Sequence, residues 1–188
     1  MSSDLIRELQ QQLRTIESAR PNGLRSETAK RRAQAHDVCL RLLTVRARSR
    51  AELDRKLAEK GFEEEVRAEE LDRLTATGLL NDQQFAQDWV LQQHNRSGKV
   101  GAALAHGLRA HGVGEEDVRA ALDQLDSEQR EERARELVRR KLGRSPDAVE
   151  AADQRLVGRL VGMLARRGYD GGLALRVVRS ELSALSAG

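Results

Sequence analysis

The sequence predicts an all-α protein: three tandem three-helix repeats in an elongated, curved array, with an N-terminal amphipathic extension. Three observations carry this. Only 2% of the 188 residues are aromatic and only two are proline. The apolar set is mostly Leu, Ala and Val, a composition that favours helices. A pattern of Leu, three residues, Leu, three residues, Gly and an apolar residue occurs as Leu53/Leu57/Gly61/Phe62. It recurs as Leu104/Leu108/Gly112/Val113 and as Leu160/Leu164/Gly168/Tyr169. Helix-start signals stand upstream of these copies.

Residues 1–32 form the extension. Leu5, Leu9, Leu13 and Ile16 lie on one side of a helical stretch, and Pro21-Asn22-Gly23 separates it from the body. The first repeat, residues 33–80, is expected to hold helices at about 33–47, 49–60 and 63–77. Ser49-Arg50-Ala51-Glu52 is a capping box before Leu53. Gly61 follows the second helix. A glycine there adopts the left-handed conformation that ends a helix, and an apolar residue after it folds back on the last turn. Val66, Leu71 and Leu74 then line one face of the third helix, and Gly78 ends it.

The second repeat, residues 81–126, is expected at 82–95, 99–111 and 115–126. Asn81 caps its first helix, with Gln84 at the third position and Leu80 and Phe85 placed as a hydrophobic staple. Val118, Leu122 and Leu125 line its last helix. The third repeat, residues 127–188, is expected at 128–142, 147–167 and 170–184. Ser145-Pro146 is a cap followed by proline at the first helical position. Leu173, Val178 and Leu182 mark the final apolar face. Lys60, His111 and Arg167 precede the three glycines, and a cationic group suits the negative end of a helix. A unit of about 50 residues has a small core, so neighbouring repeats should share interfaces.

Chemistry-bearing motifs are sparse. Ser97-Gly98-Lys99-Val100-Gly101 lacks the hydroxyl and the upstream glycines of a phosphate loop, so it reads as a loop opening a helix. His106 and His111 are five apart, on different helix faces, which disfavours a metal site. The single cysteine, Cys39, excludes a disulfide framework and reads as buried core. Phe85 and Trp89 are four apart; base stacking is conceivable, but core packing is the preferred reading. No nucleophile–base pair is evident. The expectation is a protein without enzymatic activity, cofactor or metal. No apolar run approaches a membrane span, and the N-terminus lacks a signal-peptide pattern. A cytoplasmic location is therefore expected.

The charge distribution says more. Charged residues make up 34% of the chain, with a net charge of +3. The first repeat separates its signs: Arg41, Arg46, Arg48, Arg50, Lys56 and Lys60 come first, and Glu63–Glu65, Glu69, Glu70 and Asp72 follow. Residues 127–188 carry thirteen basic against nine acidic groups. These include Arg130, Arg139, Arg140, Arg155, Arg159, Arg166 and Arg167. One reading is a surface laced with salt bridges. The other is a basic face for an acidic or phosphate-bearing partner, to which Lys99 would add.

The segment Leu40-Arg41-Leu42-Leu43, with Arg46-Ala47-Arg48-Ser49-Arg50-Ala51-Glu52-Leu53 and Lys56-Leu57, runs into Lys60-Gly61-Phe62. Gly78-Leu79-Leu80-Asn81-Asp82 and Phe85-Ala86 follow. These residues resemble the RecX family, bacterial regulators of the RecA recombinase. The resemblance covers about residues 33–185, most specifically in the first repeat. His111 departs from the lysine common in the family, and the stretch around Gly143–Ala151 is a short insertion. The resemblance implies a non-enzymatic modulator of recombination, DNA repair and the SOS response. Such a protein binds the groove of the RecA–single-stranded DNA filament, chiefly as a monomer and an inhibitor. It limits filament extension, ATP hydrolysis and strand exchange. Its partner-binding candidates here are Arg41, Arg46, Arg48, Arg50, Lys56, Lys60, Lys99, Arg130, Arg139, Arg140, Arg166 and Arg167. A helical module that binds nucleic acid directly is the alternative.

Overall fold

The structure is a computed structural model, and it describes residues 22–143 and 154–186. Those residues form nine helices and no strand. They are α1 (Asn22–Val45), α2 (Arg50–Glu59), α3 (Glu64–Ala76), α4 (Asp82–Ser97), α5 (Gly101–Ala110), α6 (Glu115–Asp123), α7 (Ser127–Leu142), α8 (Gln154–Ala165) and α9 (Gly171–Ser186). Helix α1 starts at Asn22, not near residue 33, so Asn22 and Gly23 belong to its first turn. The amphipathic stretch at 1–20 and the Ser145-Pro146 cap lie outside the described residues.

The three glycine turns share one geometry. Gly61, Gly112 and Gly168 have φ of 76°, 78° and 93°. The N–H after each glycine donates to the second leucine of its motif: Phe62 to Leu57 at 3.2 Å, Val113 to Leu108 at 3.2 Å, Tyr169 to Leu164 at 3.3 Å. Each glycine N–H donates to the carbonyl three residues back. This is the Schellman pattern, and it satisfies carbonyls that a bare helix end would leave unpaired. The leucine pairs of all three motifs are buried, as are Phe62, Val113 and Tyr169.

The starts are equally explicit. Ser49 Oγ accepts from the Glu52 N–H at 3.2 Å, while the Ser49 N–H donates to Glu52 Oε2 at 3.3 Å, closing the capping box. Asn81 accepts from the Gln84 N–H at 2.9 Å. Asp126 and Gln129 form a further reciprocal box ahead of α7.

The chain divides into two compact units, residues 1–47 with 53–79 and residues 48–52 with 80–188. In the first, α1 lies against α3. Ala35, Val38, Cys39, Leu53, Leu57, Val66, Leu71 and Leu74 are buried there. Arg32 pairs with Glu69 at 2.5 Å and the His36 ring hydrogen-bonds Glu70 at 2.7 Å, joining the two helices. Arg31 donates to the Gly61 carbonyl at 2.9 Å and lies over the Phe62 ring.

The second unit holds two apolar clusters. One gathers Phe85, Val90, Leu104, Leu108, Val118 and Ala121, with Trp89 packed against it. Trp89 also covers Gly107, where no methyl would fit. The other gathers Val138, Leu156, Leu160, Leu164, Val177 and Val178, and it includes Val100.

A recurring joint appears within this unit. Ser49, the cap of α2, donates through Oγ to the His111 carbonyl at 2.5 Å. Val100, the cap of α5, donates through its N–H to the Arg167 carbonyl at 2.8 Å. In both places a helix start meets the residue preceding a turn glycine. The glycines are pressed in the same way: Gly112 against Ala51, and Gly168 against Val100 and Ala103. A helix N-terminus set on the carbonyl end of another helix is an electrostatically favourable pairing. A β-carbon would obstruct the approach, so glycine serves both the turn and the joint.

Candidate interaction surface

The basic candidates divide between the units. In the first, Arg41 and Arg46 are exposed at the end of α1. Arg41 Nε donates to the Asp37 carbonyl at 3.1 Å, and an Arg46 N–H donates to the Ala47 carbonyl at 2.8 Å. Lys60 is exposed beside the Gly61 turn. Lys56 pairs with Glu59 at 2.6 Å on its own helix.

Arg48 and Arg50 are half-buried and belong to the second unit. The Arg50 backbone N–H donates to Asp82 Oδ1 at 2.7 Å. Lys99 is half-buried, and its carbonyl accepts from the His94 ring at 3.1 Å. Arg130 Nε donates to the Asp126 carbonyl at 3.0 Å. Arg140 and Arg166 are exposed.

Two candidates are engaged by the unit's own groups. Arg139 donates to both oxygens of Glu181, at 2.8 and 3.1 Å, and reaches Glu132 at 3.3 Å. Arg135 joins Glu181 at 3.4 Å. Arg139, foremost by its hydrogen bonds, holds the buried Glu181 carboxyl below the usual carboxylate range. Arg167 Nε donates to the Ser97 carbonyl at 3.0 Å, and another of its N–H groups donates to Met163 at 3.0 Å. It fastens the α4 end to the α8 end.

His111 has a role that sequence reasoning missed. Its ring stands 3.1 Å from Glu52 and edge-on to Phe85 and Trp89, with centroids 5.5 and 5.4 Å away. Phe85 and Trp89 are therefore core and joint, not a platform for bases. Glu52 lies fifty-nine residues from His111 in sequence, beyond any local signal. The only hint was the capping box that places Glu52. Cys39 is fully buried, and desolvation, helped by Glu70, pushes its thiol up to about 11. It remains a neutral apolar side chain. Among the described residues no group of three His, Cys, Asp or Glu side chains is arranged to hold a metal ion. None of the described helices is long and apolar enough to cross a membrane.

Three tandem three-helix repeats, each with its leucine–glycine turn, define a helical tandem-repeat protein. Comparison with known proteins names the family. The model of the first three-helix domain of RecX matches residues 35–74, the second 81–122 and the third 128–178. The chain is 47% identical over 165 residues to the regulatory protein RecX of Mycolicibacterium smegmatis, covering 87% of this chain and 88% of that one. It is 47% identical over 154 residues to the protein of the same name in Mycobacterium avium, covering 82% and 88%. The crystal structure of RecX from Lactobacillus salivarius has the same fold, with a TM-score of 0.73 at 19% identity. It covers 81% of this chain and 97% of its own. A second crystal structure of regulatory protein RecX gives 0.71 at 24% identity, covering 82% and 74%. The chain belongs to the RecX family of regulatory proteins.

Proposed function

We propose that this chain is a non-enzymatic regulator of the RecA recombinase, chiefly an inhibitor. It acts on the RecA filament assembled on single-stranded DNA. The observation that carries the reading is the run of three RecX domains along one chain, with a RecX relative sharing 47% identity over 87% of it.

The mechanism follows from repetition. Successive repeats contact successive recombinase subunits in the filament groove. Each contact is weak, and their linkage on one chain multiplies them through effective concentration. Binding therefore prefers filament over free subunits. Occupying the groove obstructs incoming duplex DNA, and bridging neighbouring subunits resists the conformational cycle that accompanies ATP turnover. The exposed cations of α1, the Gly61 turn and the third repeat meet acidic or phosphate-bearing surface, and they contribute to the rate and specificity of association.

The test is an assay of RecA-catalysed strand exchange and single-stranded-DNA-dependent ATP hydrolysis with increasing amounts of this chain. Both should fall at amounts well below one chain per recombinase subunit. Unchanged rates at equimolar chain would refute the reading.

A further inference from the structure

The internal joints follow a register along the chain. At the first, Ala51 stands two residues before the leading leucine of its motif, Leu53, and presses on Gly112. At the second, Val100 and Ala103, just ahead of Leu104, press on Gly168. In each case the helix of one repeat, ahead of its leucine pair, covers the turn glycine of the next repeat. Two places in the same register are open. Gly61, the turn glycine of the first repeat, has nothing within 4 Å of a built β-carbon. Gly158 stands two residues before Leu160, as Ala51 does before Leu53; it is exposed and also has nothing within 4 Å. The Lys60 carbonyl is the counterpart of the His111 and Arg167 carbonyls that accept at the joints. It takes no hydrogen bond among the described residues. Charge matches the two places. Arg159, next to Gly158, is exposed on a helix that contains no carboxylate. Glu64 and Glu65 are exposed at the start of α3, directly after the Gly61 turn. Among the described residues none of these three makes an ion pair.

We propose that the chain associates head to tail with a second copy of itself. The Gly158–Arg159 face of α8 in one copy seats on the Gly61 turn and the start of α3 in the next. Gly158 has no side chain to hold the turn away, so it permits the close approach that Ala51 makes at the first joint. Arg159 then reaches the Lys60 carbonyl and the Glu64 and Glu65 carboxylates, as a guanidinium fork suits both. Arginine on a helix-end carbonyl already occurs twice within the chain, from Arg133 to Asn95 and from Arg167 to Ser97. Lys60 stands on the same turn, and the two carboxylates outnumber it. An acidic surface of another protein would satisfy Arg159 but would leave the Gly61 turn uncovered. A second copy covers both places with one contact. The contact is heterologous, so each copy keeps one free half and further copies add in series. The inference does not rest on the functional reading, and its test needs the chain alone.

The experiment makes Lys60→Cys and Gly158→Cys separately in the full chain. The native Cys39 is fully buried and stays in place. Circular dichroism and thermal melting establish that each variant is folded. The two are mixed at high concentration and treated with a short bismaleimide, and each is also treated alone. The mixture should form crosslinked dimer at least about fivefold faster than either variant alone, because a heterologous contact brings only the unlike sites together. Adding Arg159→Glu to the Gly158→Cys chain should remove most of that excess. Adding E64K/E65K to the Lys60→Cys chain should then restore it, as electrostatic complementarity requires. Equal rates in mixed and single samples would assign the face to another partner and overturn the proposal. An excess that Arg159→Glu leaves unchanged would overturn it as well.

Discussion

Ser49 Oγ donates to the His111 carbonyl at 2.5 Å across sixty-two residues of sequence, while also accepting from the Glu52 N–H at 3.2 Å. One hydroxyl thus caps α2 and ties that cap to the end of α5. Ser49 is fully buried, so its removal leaves the His111 carbonyl and a cap N–H without their partner. Ser49→Ala should destabilise the protein by about 1–3 kcal/mol, the combined range for a lost cap and an orphaned buried acceptor. Chemical denaturation measures it. A change below a few tenths would show that the joint carries no stability.

The three turn glycines should not be equal. All have positive φ, yet Gly61 has nothing within 4 Å of a built β-carbon, whereas Gly112 meets Ala51 and Gly168 meets the Val100 carbonyl. Gly61→Ala should cost about 1 kcal/mol, from backbone conformation alone. Gly112→Ala and Gly168→Ala should each cost clearly more, because backbone has to shift as well. Equal melting temperatures for the three variants would contradict the joint.

Much of this architecture is legible in the sequence, because it rests on local rules. The leucine spacing, the three glycines and the Ser49 and Asn81 caps all act within four or five residues, and each stands where its spacing predicts. The start of α1 does not, since Gly23 reads as a separator although a helix can carry it at modest cost near its first turn. The joints were invisible as well. The Ser49–His111, Glu52–His111 and Val100–Arg167 contacts pair residues more than fifty apart, and nothing local marks them. The same holds for the basic candidates. Their charge is plain in the sequence, but only the fold shows that Arg139 serves Glu181 and Arg167 serves the carbonyls of Ser97 and Met163.

Alkaline stability should follow Cys39 and Tyr169. Burial is the main cause that raises both, the thiol to about 11 and the phenol to about 12. Both folded values exceed the unfolded ones, so the neutral forms contribute stability that is complete below about pH 9. It is lost as pH rises through the folded values. Unfolding free energy should fall with alkaline pH, and Cys39→Ala should make the fall shallower. A thiol-reactive probe should label native protein no faster than its unfolding allows.

Glu181 gives the acid limb. Its depressed value, caused first by the Arg139 hydrogen bonds, means its contribution is present above the ordinary carboxylate pKa and disappears as pH falls through the lowered one. Glu181→Gln should therefore destabilise at pH 7 and progressively less as pH falls below the ordinary carboxylate range. A pH-independent difference would remove the charge from the account.

Arg41, Arg46 and Lys60 are exposed in the first unit. Reversing all three to glutamate should alter stability by no more than about 0.5 kcal/mol each, as is usual for surface positions. The same change should weaken inhibition of strand exchange. Full inhibition by the folded variant would place the partner contact on other residues.

The most direct test of regulation through the filament compares binding of the chain to recombinase-coated and bare single-stranded DNA of one sequence, across a salt series. The predicted result is tighter binding to coated DNA at every salt concentration, accompanied by a fall in ATP turnover as the chain saturates the filament. Tighter binding to the bare strand, with a steep salt dependence and unchanged turnover, would contradict it.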